Sequence, residues 1–339
     1  VSARPLRAAL LAWYRERRRD LPWRRTRDPY AIWVSEIMLQ QTRVETVVPY
    51  YGRFLERFPT VRALAIARED DVLAAWSGLG YYRRARGLHA AAAIVARDHA
   101  GSLPDDRDSL RALPGIGDYT AAAIQSIAFG RVAAAVDGNV VRVLARIHGL
   151  SGRRDSPGLK RDVTALAETL ARGPAPGDWT QALMELGATV CLPRDPRCGE
   201  CPVASRCVAR RSGDPARYPE PAVKQEPRSG REVLLLARRG RSVYLEEDAT
   251  PTGRAWTLPR VRARASKGVA PPSGPPAAAR TVPPAAARAV AARHGLSLEP
   301  GTLLAAFRHR TYADDLSIEV WAAAPGPGTA RRSGGRWVT

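Results

Sequence analysis

All four cysteines of this 339-residue chain fall between positions 191 and 207, in the stretch CLPRDPRCGECPVASRC. Cys191, Cys198, Cys201 and Cys207 follow the spacing C-x6-C-x2-C-x5-C, which obliges one short segment to fold back around whatever the thiols share. Structural disulfides are not expected, because the chain opens on an amphipathic helix pattern, VSARPLRAALLAWYRERRRD, with no signal-peptide cleavage site. Four thiolates this close can surround one metal centre. Zinc ribbons usually offer two C-x2-C knuckles and here there is one, so the uneven spacing favours a 4Fe-4S cluster, with zinc as the other reading. In both readings the loop ties down the end of a helical region and its work is structural.

Lys and Arg number 53 against 33 Asp and Glu, a net charge of +20. Such an excess suits a polyanionic partner, since each cation placed on a phosphate releases condensed counterions. Lysine occurs only at 160, 224 and 267, while Arg and Ala abound, so coding bias and a merely solvated basic surface stay open. No run of about 18 uncharged apolar residues occurs, and the expectation is a cytoplasmic, nucleoid-associated protein with no membrane partner. Because the chain starts at Val1 and stops just behind the strand-like GRWVT, trimming at both ends is expected.

Residues 1–212 alternate helix-period apolar runs with short Gly/Pro turns, which predicts an all-α domain. GDPARYPEPAVKQEPRSG (213–230) reads as a linker. Beyond it, in 231–339, the β-rich runs REVLLLARRGRSVYLEE and LSIEVWAAA flank one helical run, AAARAVAARHGL, so a small α+β domain is expected. Between them ASKGVAPPSGPPAAARTVPPA is a low-complexity loop.

Two stretches carry chemistry. In LPGIGDYT (113–120), Gly115 and Gly117 allow a tight turn, and the helix that follows offers free N–H groups to a phosphate, although such a turn can also be plain helix punctuation. Glu36 sits inside the apolar run AIWVSEIML, where desolvation raises a carboxyl pKa; Asp137, in AAAVDGNVVRVLARI, just precedes a helix whose dipole and N–H groups favour the carboxylate. Two acids pushed opposite ways suit an acid and stabiliser pair. Taken singly, Glu36 can be a partly buried surface residue and Asp137 a helix cap.

The order hairpin, VDGNV, four-cysteine loop resembles the endonuclease III superfamily of helix-hairpin-helix DNA glycosylases. Within it RRDLPWR (18–24), WVSEIMLQQTRVETV (33–47), GLGYYRRARGLH (78–89) and MELGATVC (184–191) resemble the MutY-type adenine DNA glycosylases. The resemblance implies a multi-domain protein: an all-α helix-hairpin-helix glycosylase domain with an iron-sulfur cluster loop, then an α+β Nudix-like domain. It implies a monomeric, monofunctional base-excision repair enzyme that hydrolyses the N-glycosidic bond of adenine opposite 8-oxoguanine or guanine in double-stranded DNA, with the four cysteines holding a 4Fe-4S cluster.

The resemblance also assigns roles. Glu36 matches the general acid that protonates adenine N7 and helps activate water, Asp137 the carboxylate beside the cationic sugar, Tyr119 a hydrogen-bonding partner and Asn139 its orienting neighbour. Arg19, Leu21, Trp23, Arg24 and Gln181 match residues around the extruded base, Gln41 and Tyr81 those inserted into the duplex, and Gly115 and Gly117 the phosphate-gripping hairpin. The bifunctional branch uses a hairpin lysine as Schiff-base nucleophile; Tyr119 stands at that position, which counts against an endonuclease III-like lyase for oxidised pyrimidines. Retention of Glu36 and Asp137 counts against a catalytically silent DNA-binding protein.

In the second domain the nearest match to the magnesium-holding Nudix motif is RAVAARHGL, with Ala289, Ala292 and Arg293 at the glutamate positions, so a binding module is expected and metal-dependent hydrolysis is not. GRAWTLP (253–259) resembles a Trp/Pro loop of the family. FRHRT (307–311) falls where the family reads Phe, Ser or Thr, His; Phe307, Arg308 and His309 are thus the lesion-recognition candidates. Arg308 departs from the pattern, because a guanidinium has no acceptor for the lesion's N7 hydrogen, and it is expected either at a base edge or on a phosphate.

Overall fold

The computed structural model describes residues 3–221, 227–250, 253–264, 285–310, 314–325 and 335–339. Residues 265–284 of the low-complexity loop, residues 222–226 of the expected linker and Thr311 of FRHRT lie outside the described residues. The chain divides into two compact units, Val1–Ala222 and Val223–Thr339.

The first unit is helical: α1 (Ala3–Arg17), α2 (Pro29–Leu39), α3 (Val44–Arg57), α4 (Val61–Ala65), α5 (Glu69–Trp76), α6 (Arg83–Asp98), α7 (Arg107–Ala112), α8 (Asp118–Ile127), α9 (Gly138–His148), α10 (Pro157–Ala171), α11 (Pro176–Thr189) and α12 (Val208–Arg211). Two apolar cores divide these helices. One gathers Trp33, Phe54, Trp76, Leu88, Leu110 and Ile124 from α2 through α8. The other gathers Leu10, Tyr14, Leu144, Val163, Trp179 and Leu183 from α1 and α9–α11, with Val203 of the cysteine loop. The chain therefore crosses between lobes twice, at 18–28 and at 128–137, and a small cluster around Ile32, Ala123 and Ile127 joins them.

α2 is the axis of the first lobe. Asp28 caps it by accepting from Tyr30 N–H (3.1 Å), Pro29 begins it without a wasted donor, and every residue from Tyr30 to Met38 is buried. A helix apolar all round has to be a core helix, and truncating a side chain such as Trp33 to Ala there costs about 3–5 kcal/mol. Glu36 is its one charged residue.

The expected linker is shorter than the sequence suggests. Glu220 N–H donates to Gly152 O (3.0 Å), Arg154 N–H to Glu220 O (2.9 Å) and Arg146 Nε to Tyr218 O (3.0 Å). These bonds strap 218–220 onto α9 and the α9–α10 connection, so the helical unit continues past 212. Composition alone read the prolines as a spacer; paired backbone groups make them part of a packed edge.

The second unit is a mixed sheet with one helix: β1 (Arg228–Arg239), β2 (Ser242–Thr250), β3 (Gly253–Thr257), β4 (Arg260–Arg264), α13 (Ala285–His294), β5 (Leu296–Arg310), β6 (Asp314–Pro325) and β7 (Gly335–Val338). The strand order is β3-β2-β1-β6-β5, with β4 also paired to β1 and β7 to β2; β1 and β6 run parallel and the other pairs antiparallel. Ala287, Val290 and Ala291 of α13 pack with Val233, Leu235, Tyr244 and Trp321 of the sheet. GRAWT, expected in a loop, is strand β3, and FRHR belongs to the long strand β5, which the alternation of small and basic residues had concealed.

Candidate active site

Between the two helical lobes lies a cavity of about 270 Å³. The first crossing brings Arg19, Leu21, Trp23 and Arg24 to it, α2 brings Glu36, α8 brings Tyr119, the start of α9 brings Asp137 and Asn139, and α11 brings Gln181. Every residue expected to carry the chemistry or to surround the base thus lines one space, although the sequence spreads them from 19 to 181.

Glu36 is buried, with 6% of its surface exposed. Desolvation pushes its carboxyl up to about 7; Asp137 adds to the rise, while Tyr119 and Arg24 oppose it. Near neutrality it is a reservoir for one proton. The Tyr119 hydroxyl lies against Glu36 and 3.7 Å from Met184 Sδ, and its own titration is pushed well above the ordinary range, first by burial.

Asp137 is both a helix cap and a cavity residue. Its Oδ1 accepts from Val140 N–H (2.8 Å) and its Oδ2 from Asn139 Nδ2 (2.9 Å). Each carboxylate oxygen thus has an N–H donor that fixes its direction. Asn139 is in turn fixed: its Oδ1 accepts from Arg142 Nη2 (2.8 Å), which also donates to Gly187 O (2.8 Å), while Arg142 Nε donates to Cys191 O (2.8 Å). Gly187 makes this approach possible, since a Cβ there would lie 2.6 Å from the Asn139 Cβ.

Sequence reasoning missed Glu185, although MELGATVC contains it. Its carboxylate, 1% exposed, takes Arg19 Nε (3.0 Å), Arg19 Nη2 (2.8 Å), Arg19 N–H (2.9 Å) and Arg24 Nη2 (2.7 Å). Burial favours the neutral acid, but the two guanidiniums prevail and hold the carboxyl at about 2. Arg19 and Arg24 are therefore not free cations in the cavity wall. The available signal was a lone glutamate inside an apolar helical run, as for Glu36.

The hairpin runs from α7 to α8. Gly115 has φ +82°, a conformation open to glycine, and its backbone packs against Gly87 of α6. Gly117 precedes α8 with no side-chain cap, leaving the first N–H groups of the helix unclaimed by its own cap. Asp118, whose charge would repel a phosphate, is paired to Arg107 (3.1 Å) and Arg111 (2.8 Å).

The four cysteines line one pocket with Ile147, Leu186 and Val190, and none forms a disulfide. Arg146 Nη1 stands 3.5 Å from Cys191 Sγ, and burial pushes the Cys201 thiol up to about 11. Among the described residues, no three His, Cys, Asp or Glu side chains converge tightly enough to grip a single ion.

In the second unit Arg308, half-exposed, is ion-paired within the sheet. Its Nε and Nη2 grip Asp315 of β6 (2.6 Å each), and Arg310 Nε lies 3.8 Å from the same carboxylate. Side chains alternate along a strand, so Phe307, 47% exposed, and His309 leave the opposite face of β5. Arg293 lies 3.6 Å from Glu246. No helix among the described residues is long and apolar enough to cross a membrane.

Residues 34–168 match the HhH-GPD superfamily base excision DNA repair protein model. The chain is 43% identical over 249 residues to an adenine DNA glycosylase of Mycolicibacterium smegmatis, covering 73% of this chain and 82% of that protein. It is 46% identical over 213 residues to an adenine DNA glycosylase of Homo sapiens, covering 60% of this chain but only 39% of the human protein. Among solved structures, a thermostable thymine-DNA glycosylase superposes with a TM-score of 0.57 at 31% identity, over 62% of this chain and 97% of its own. Endonuclease III from a non-covalent DNA complex gives 0.51 at 24% identity, over 63% and 98%, a likeness of fold. With its cavity built on these motifs and with more than two thirds of the mycobacterial relative covered, the chain belongs to the adenine DNA glycosylase family.

Proposed function

We propose that the protein is a monofunctional DNA glycosylase that hydrolyses the bond between adenine and deoxyribose where adenine is paired with 8-oxoguanine or guanine in double-stranded DNA. The observation that carries this reading is one cavity lined by a carboxyl poised at about 7 and by a carboxylate that accepts two hydrogen bonds. At about 270 Å³ the space is slightly smaller than a typical small-ligand pocket, about 300–1,000 Å³, which suits a single extruded base.

Protonated Glu36 donates to N7 of the departing adenine, and the positive charge growing on the sugar is met by Asp137. Ionised after the transfer, Glu36 takes a proton from the incoming water. Asn139 and Arg142 hold Asp137 in place, and Glu185 holds Arg19 and Arg24 as fixed walls. Tyr119, where a lyase would need an amine, supports base release without strand cleavage.

The uncapped amides of α8 with Gly115 and Gly117 would hold a backbone phosphate, and Gln41 and Tyr81 would enter the stack. The all-thiol set of Cys191, Cys198, Cys201 and Cys207 fits a 4Fe-4S cluster. The four line one pocket, and a set made of cysteine thiolates alone is the donor set that such a cluster takes. Bound there, the cluster supplies structural bracing of the segment that reaches Arg142. Phe307 and His309, on an exposed strand of what we read as a Nudix-like module, are the groups available to an 8-oxoguanine edge.

Duplexes carrying adenine opposite 8-oxoguanine, and thymine glycol opposite adenine, followed by alkali, test the reading. Release from only the first, with strand breaks only after alkali, is expected. Release from the thymine glycol duplex, with breaks before alkali, would overturn it.

A further inference from the structure

Two neighbouring connections of the helical unit each contain a non-glycine residue in the left-handed region. Gln41, between α2 and α3, has φ 58°, and Tyr81, between α5 and α6, has φ 48°. Both are exposed, Tyr81 by 62%. A side chain at such angles strains the backbone, so neighbouring groups must hold it there.

One side chain reaches both connections. Arg84, in the first turn of α6, directs Nη1 at the carbonyl oxygens of Ile37 (2.9 Å), Met38 (2.8 Å) and Gln40, and Nη2 at Thr42 Oγ1 (3.0 Å), Leu79 O (3.2 Å) and Gly80 O (3.3 Å). The carbonyls of Gln40 and Gly80 belong to the peptide groups directly before Gln41 and Tyr81. A single planar fork therefore sets both strained peptides. Its guanidinium also lies over the rings of Trp76 (5.4 Å) and Tyr81 (5.5 Å). Two of these carbonyls, of Ile37 and Met38, are in the last turn of α2, the helix that carries Glu36, and the third belongs to its C-cap, Gln40.

We propose that Arg84 is a positioning residue that locks Gln41 and Tyr81 into one rigid pair, so that the duplex meets a preset wedge instead of two loops that order separately. The inference rests on the reading of the protein as a glycosylase that extrudes its base. A lysine keeps the charge but is a point donor, and cannot bridge acceptors on both sides of a fork.

Arg84→Lys is compared with the unmodified protein, under single turnover, on a continuous duplex with adenine opposite 8-oxoguanine and on the same duplex with mismatched pairs flanking the adenine. The mismatches open the stack in advance. Arg84→Lys is expected to slow adenine release from the continuous duplex by about ten-fold or more, the worth of roughly one charge-assisted hydrogen bond, and to recover most of the rate on the pre-opened one. Equal rates for variant and unmodified protein on the continuous duplex overturn the proposal. An equal loss on both duplexes also overturns it, reducing Arg84 to a brace for α2. Should Arg84→Lys not fold, Arg84→Gln, which keeps a donor arm, is put through the same ratio of rates. Failure of the unmodified protein on both duplexes would overturn the glycosylase reading itself, a result distinct from failure of the clasp.

Discussion

The two walls of the cavity each present a buried glutamate from an apolar helix, and they have been driven in opposite directions. Glu36 on α2 is pushed up to about 7, whereas Glu185 on α11 is held at about 2. Burial does not distinguish them, at 6% and 1% exposed. Partners do: Glu36 meets a tyrosine hydroxyl and a neighbouring carboxylate, Glu185 two guanidiniums. One wall can therefore exchange a proton near neutrality, and the other is a permanent anion that orders its surroundings.

The largest expected effect is on chemistry. Glu36→Gln, which cannot donate the proton, and Asp137→Asn, which cannot offer full charge to the sugar, should each slow single-turnover adenine release by about 10²–10⁴ while keeping duplex affinity. A near-normal rate in either variant would break the assignment of that wall. Glu185→Gln should act on stability instead. It leaves two arginines facing a neutral amide, one of them almost buried, and should cost about 3–5 kcal/mol in chemical denaturation. An unchanged midpoint would mean that the ion triad is not what fixes the α11 wall.

The pH dependence should divide the walls further. Glu36 ordinarily titrates at 4.5 and in the fold at about 7, so the stability it contributes is full below 4.5 and is lost as pH rises through about 7. Glu36→Gln should therefore be more stable than the unmodified protein at pH 8, by on the order of 3 kcal/mol, and gain much less at pH 5. The rate should likewise fall as pH rises through about 7, because the acid form is needed. Glu185 has the reverse sign: its contribution is present above 4.5 and lost as pH falls through about 2. A melting curve set for Glu36→Gln that is parallel to the unmodified protein at both pH values would break this contrast.

The smallest effect is expected outside the cavity. Arg308→Ser should leave both the ratio of 8-oxoguanine to guanine affinity and the salt slope unchanged, since its guanidinium is spent on Asp315. A slope lower by about one charge would return Arg308 to a phosphate.

The legible part of the site was whatever one motif contains. AIWVSEIML states that an acid is buried, because an apolar helix leaves Glu36 no route to water, and VDGNVVRV states that Asp137 caps a helix. The arginines of RRDLPWR were legible as cavity residues but not as ion-paired ones, because their partner is 161 residues or more away. Glu185 stood inside a quoted motif and passed unnoticed for the same reason. In the second unit, β1, β2, β6 and α13 follow from alternation and helix period, while β5 did not, since its exposed face carries Phe307 and its basic residues face a carboxylate on the next strand.

What the sequence by itself determined is therefore local: the helical and strand-rich halves, the turn at Gly115, the gathering of four thiols, the cap at Asp137 and the burial of Glu36. These depend on periods, spacings and residue types within a few turns of chain. Only the tertiary structure decided that Glu36 and Asp137 share a cavity, that Glu185 and not Glu36 receives the arginines, and that Arg84 spans two loops. Coulombic and hydrogen-bond energies depend on distance in space, and the chain crosses twice between lobes before those distances exist.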